Sequence, residues 1–146
     1  MPKPDFTEAV AKLVTEDLRY ERDAYYFLRD ALDHTVKQRR KSRGDAGSEH
    51  VSGQQLLDGI RVYALKQFGP MVTTVFGYWG IKQCEDFGHM VYNLIQVKVF
   101  GKTDADTLAD FRGGYSFEDA FVTPYQLAKV PVHRRGMSEA AQQKLN

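Results

Sequence analysis

At 146 residues the chain is long enough for one domain that buries roughly two thirds of the surface its unfolded form would expose. An apolar fraction of 42% beside 27% charged residues excludes a chain too polar to hold a core, and no stretch reaches the ~20 apolar residues of a membrane-spanning helix. The single cysteine, Cys84, excludes an internal disulfide framework; with no basic start or apolar run of a signal peptide in MPKPDFTEAV, the expected location is the cytoplasm.

The formal net charge of +1 conceals an uneven distribution. Residues 1–36 carry five Lys/Arg against eight Asp/Glu, and residues 52–121 carry six against eight. Between them KQRRKSR, residues 37–43, holds five positive charges and no negative one. The expected organisation is therefore a single helical domain over 1–121, interrupted by a basic and glycine-rich loop at 37–53, followed by an extended or flexible basic tail over 122–146.

In chain order, Phe6, Val10, Leu13, Val14 and Leu18 recur at three- and four-residue spacing and predict a first amphipathic helix. A break at EDLRYERD precedes a second, in which Phe27, Leu28, Ala31, Leu32, Thr35 and Val36 keep the same period and run into the basic segment. A third begins after Ser52, with Gln55 three residues on at capping-box spacing, and buries Leu56, Leu57, Ile60, Tyr63, Ala64 and Phe68. Gly69-Pro70 ends it, because glycine tolerates a left-handed turn and proline suits the first turn of the next helix. A short fourth helix has Met71, Val72, Val75, Phe76 and Trp79 as its apolar positions and stops at Gly80. A fifth opens on Glu85 and Asp86, which favour a helix N-terminus, and runs through Phe87, Met90, Val91, Leu94 and Ile95. From Gly101 to Phe121 the pattern fits a short hairpin and a pair of short helical turns equally well. The fold class is mainly α: a helical bundle, or a winged-helix-like three-helix core with a small C-terminal hairpin, preceded by two N-terminal helices.

The fourth and fifth helices read in two ways. As a helix-turn-helix, the fifth would enter a nucleic-acid groove and present Asp86, His89, Asn93 and Gln96. Phosphate neutralisation dominates such binding, however, and this unit is net acidic, which favours a hinge within a helical core or a winged-helix scaffold used for protein contacts. The basic run supplies the other nucleic-acid candidate: Lys37, Arg39, Arg40, Lys41 and Arg43, extended by Arg134 and Arg135, would follow an RNA or DNA backbone without sequence preference. No aromatic residue interleaves the run, so base stacking has no platform there. A solvated helix end is the plainer account of the same charges.

Catalytic patterns are missing. His34, His50, His89 and His133 are scattered; Glu85 and His89 share a helical face at i,i+4 and could hold a metal with His50 or His34, but a surface ion pair is the plainer account of that spacing. Cys84 stands at a helix start that lowers a thiol pKa, but its acidic neighbours oppose the effect. No catalytic residue, metal site or cofactor is assigned. Tyr25, Tyr78 and Tyr92 are the aromatics expected at a partner surface, since tyrosine is enriched in binding hot spots.

The blocks YERDAYYFLRDALDHT, HVSGQQLLDGIRVYALKQFGPM, WGI, DFGHMVYNLI and DFRGGYSFEDAF, spread over residues 17–121, together resemble a bacterial family of small proteins catalogued only as a domain of unknown function. The resemblance implies a free-standing bacterial cytoplasmic protein and carries over no activity. The expected function is a non-catalytic interaction or assembly module, with a nucleic-acid-associated protein as the alternative.

Overall fold

The computed structural model describes residues 5–43, 51–101 and 108–129. These are mainly helical, with no strand among them, and no described helix is long and apolar enough to cross a membrane. Helix α1 is Phe6–Glu16; the Asp5 carboxylate accepts the Glu8 backbone N–H at 3.2 Å, and Ala9, Val10 and Leu13 face inward. Helix α2, Arg22–Arg43, spans about 33 Å at 1.5 Å per residue. Its buried residues Ala24, Tyr25, Phe27, Leu28, Ala31 and Thr35 keep the predicted period. The basic residues 37–43 are thus the last two turns of this helix rather than the start of a loop. Nothing in KQRRKSR breaks a helix, and its cations complement the negative end of the helix dipole.

Helix α3, Gly53–Phe68, begins with the expected capping box: Gln55 N–H donates to Ser52 Oγ at 3.1 Å, and Ser52 N–H donates to Gln55 Oε1 at 2.9 Å. Gly69, at φ +55°, closes it, and a 3₁₀ turn, Gly69–Met71, leads into α4, Val72–Trp79. Gly80 is obligatory on two counts. Its φ is +89°, and a Cβ there would lie 2.1 Å from the Arg19 carbonyl oxygen. The segment joining α1 to α2 therefore crosses the end of α4 in direct backbone contact, and Glu21 N–H bonds Trp79 O at 3.2 Å. Helix α5, Cys84–Gln96, is capped by Gln83 and Asp86.

The small C-terminal hairpin is not what the described part of 101–121 forms. Leu108–Phe111 is a 3₁₀ turn, Glu118–Val122 a π turn, and Thr123–Lys129 a final helix, α6, where an extended or flexible tail was expected. Phe117, Ala120 and Phe121 stand three and four apart, a helical period that lets all three approach the core, whereas strand alternation would turn part of the set outward. Leu18 is a second departure: it lies beyond the end of α1 and is 83% exposed.

The centre of the core is Phe76 of α4, fully buried. Its ring meets Phe27 from α2, Trp79, Phe87 from α5, and Phe117 and Phe121 at centroid distances of 5.5–6.2 Å. Most of these pairs are tilted or edge-on, the favoured geometry for aromatic contacts. The α2 and α3 helices run antiparallel, since Thr35 meets Gly59 while Phe27 meets Tyr63 and Phe68. Their close approach depends on Gly59: a Cβ there would fall 1.8 Å from Thr35 Oγ1.

Gly59→Ala should therefore lower stability by about 1–3 kcal/mol, seen as a lower urea midpoint. Adding Thr35→Ala should recover part of that loss, because the nearest obstructing atom is then removed; additive losses would show that the two residues do not share a constraint.

Candidate functional site

The basic end of α2 is exposed but partly engaged. Lys37 pairs with Asp33 one turn back at 3.0 Å. Arg40 also has an interaction partner, Lys41 is exposed, and Arg43 closes the helix. Arg39 turns instead toward α3 and lines a groove. Arg134 and Arg135 lie outside the described residues.

That groove has a volume of about 700 Å³. His34, Gln38 and Arg39 wall it on α2; Gln54, Asp58, Val62 and Lys66, each four residues from the next, wall it on α3; Thr35 and Gly59 lie between. The Thr35 hydroxyl donates to Ala31 O at 2.7 Å, which satisfies it within its own helix. His34 lies 5.2 Å from the Tyr63 ring, and Asp58 pairs with Arg61 at 3.2 Å. Gln54 Nε2–H donates to Asp110 O at 2.7 Å and ties one end of the groove to the 3₁₀ turn at 108–111.

The tyrosines divide. Tyr78 is 81% exposed and Tyr92 53%, as expected of partner-surface residues, but Tyr25 is fully buried and the expectation for it is corrected. Tyr25 follows Ala24 onto the inner face of α2, and its hydroxyl accepts an Asn93 Nδ2–H bond at 3.1 Å. Helical period cannot separate two adjacent tyrosines, and here Tyr26 takes the outer position against Phe6, at 5.4 Å.

Two polar side chains of α5, Asp86 and Asn93, are occupied. Asn93 also donates to Asp17 Oδ2 at 2.9 Å, and Asp17 is held in turn by Arg19 through Nε at 3.0 Å and Nη2 at 2.7 Å. Tyr20 Oη–H donates to Asp86 Oδ1 at 2.6 Å, while Asp86 Oδ2 accepts from the backbone N–H groups of Lys82 and Gln83 at 2.8 and 3.1 Å. Asp86 and Asn93, offered by the sequence as groove-reading residues, instead clasp the α1–α2 link to α5. The Arg19 bond holds the Asp17 carboxyl well below the usual carboxylate range, against the opposing effect of partial burial. Burial and the bond to Asp86 push the Tyr20 hydroxyl upward. These pairings join residues 66–76 positions apart, and no local spacing announces them.

The second cavity, about 410 Å³, lies at the start of α5 and is lined by Lys82, Gln83, Cys84, Glu85 and the 113–117 segment. Cys84 is buried, donates through Sγ to Tyr115 O at 3.3 Å, and has its pKa pushed up to about 11 by that burial. Its helix-terminal position therefore does not make it a thiolate. Glu85 is directed to Arg112, 3.5 Å away, rather than into a shared site with His89. His50 lies outside the described residues. Among the described residues no three His, Cys, Asp or Glu side chains gather as metal ligands.

Family models, curated proteins and solved structures were compared with this chain, and none matches.

Two outcomes follow from the clasp and the thiol. Because the folded-state pKa of Asp17 lies below its ordinary value of 3.8, its stabilising effect is whole above about pH 4 and drains away as pH falls further. Urea titrations from pH 5 downward should show a declining midpoint that Asp17→Asn flattens. Cys84 in the folded protein should react with a disulfide reagent at pH 8 on the order of 100-fold more slowly than in the urea-unfolded chain; equal rates would refute its protection.

Proposed function

We propose that the protein is a non-catalytic interaction module, with α3, α4 and α5 as scaffold. The observation that carries this reading is the outward stripe of α4. Met71, Thr74 and Tyr78 follow one another at i, i+3 and i+7, with Met71 53% and Tyr78 81% exposed. Leu18, 83% exposed, belongs to the link whose Arg19 carbonyl abuts Gly80 at the same end of the helix. Single exposed apolar side chains are ordinary, but a tyrosine, a methionine and a leucine around one short helix make a surface on which a partner gains aromatic and apolar contact.

The nucleic-acid alternative draws on less. Two of its cations, Lys37 and Arg40, already have partners, and Asp86 and Asn93 work within the fold. Neutralising Lys37, Lys41 and Arg43 without any loss of salt-sensitive RNA binding would remove it.

A photoreactive phenylalanine analogue placed at 78 should form a discrete adduct with a protein partner in the native host, and one at exposed Lys12 of α1 should not. Tyr78→Ala should abolish capture of that partner while shifting stability by no more than about 0.5 kcal/mol. The absence of any adduct at 78 would count against the α4 face as a contact surface.

A further inference from the structure

We infer that the groove between α2 and α3 receives an acidic helical segment of a partner protein. It uses residues other than the α4 stripe and stands or falls separately from it. Its shape comes first. Gln54, Asp58, Val62 and Lys66 form an i,i+4 ridge about 18 Å long, three helical turns, and His34, Gln38 and Arg39 stand across from it. Gly59 contributes no side chain between these walls, and the Thr35 hydroxyl is spent on Ala31 O. A trough of this length between two antiparallel helices matches the ridge of a third helix, the recognition mode in which an amphipathic helix lays its apolar stripe into a groove. Val62, 42% exposed along the ridge, supplies an apolar contact for such a stripe.

Charge selects the occupant. Among the described residues the one carboxylate lining the groove, Asp58, is paired with Arg61. Arg39 and Lys66 make no ion pair with any described residue. Since Thr35 lies opposite Gly59 and Phe27 opposite Phe68, Arg39 marks the end of the groove near the start of α3, and Lys66 the end near its finish. A helix carrying carboxylates about three turns apart meets both cations at once. A nucleic-acid backbone fits less well, because Gln55, Asp58 and Val62 stand between the two cations where an unbroken row of positive charge would be needed.

The test is selection of a random displayed library of helical peptides, about 16 residues each, on the full chain, with depletion on the Arg39→Glu, Lys66→Glu double variant. Enriched peptides should carry net negative charge, gain helicity on binding, and weaken as salt is raised to physiological levels. Their affinity should fall at least about tenfold in the double variant and in Val62→Asp, both with wild-type far-UV spectra, and should be unchanged in Tyr78→Ala. Versions with each Glu replaced by Lys should not bind. Peptides without acidic excess, or equal binding to the double variant, would overturn the inference. So would a loss in Tyr78→Ala as large as that in the double variant, which would move the site to α4. Tighter groove binding by a uridine oligoribonucleotide at physiological salt would overturn it in favour of a nucleic-acid site.

Discussion

The burial of one ring, Phe76, organises this molecule. It sits on a helix of only eight residues, too short to hold itself together in water, and draws its order from the aromatic side chains that surround it. Those side chains come from α2, α5 and the turns at 117–121, so filling one position aligns elements from most of the described chain. Removing the ring would leave a cavity bordered by residues that cannot all collapse into it, with a cost of about 3–5 kcal/mol for such a truncation. Gly69 and Gly80 permit the arrangement, because each turns the chain at positive φ within a few residues of the crowded centre.

Around that core runs a polar clasp that decides what the surface can do. The bends at Asp17–Glu21 place Arg19, Tyr20 and Asp17 against α4 and α5, and the hydrogen bonds from Tyr20 to Asp86 and from Asn93 to Asp17 and Tyr25 lock them there. A half-buried polar network is stabilising only when its members are satisfied, and this one pairs a bidentate arginine, a carboxylate and an amide in succession. Its consequence is functional. Asn93, one of the α5 side chains suited to reading a base edge, is committed to holding the link.

The two candidate contact surfaces differ in chemistry. The α4 stripe is apolar and aromatic, whereas the α2–α3 groove is lined mostly by polar and charged residues, with a cation toward each end. Gly59 serves both stability and shape: α3 contributes no side chain at the middle of the groove, where Thr35 of α2 comes close. One small residue thus links the packing of the core to the form of a surface site.

Much of this was legible in the sequence because it is local. Helical period located all five predicted helices, the Ser52–Gln55 pair announced a capping box, and Gly69-Pro70 and Gly80 marked the ends of their helices. Tyr78 lies outside the apolar spacing of α4, and it is exposed. What the sequence left open was decided by partners distant along the chain. Tyr25 and Tyr26 are equivalent by period, and Asn93 arriving from α5 is what accompanies one of them inward. The segment ending at Phe121 satisfied two local patterns, and the need to bring Phe117 and Phe121 onto Phe76 accompanies helical turns over a hairpin. The groove exists only because Gly59 meets Thr35 across two helices, a contact fixed by tertiary packing and invisible to any pattern read along a single one.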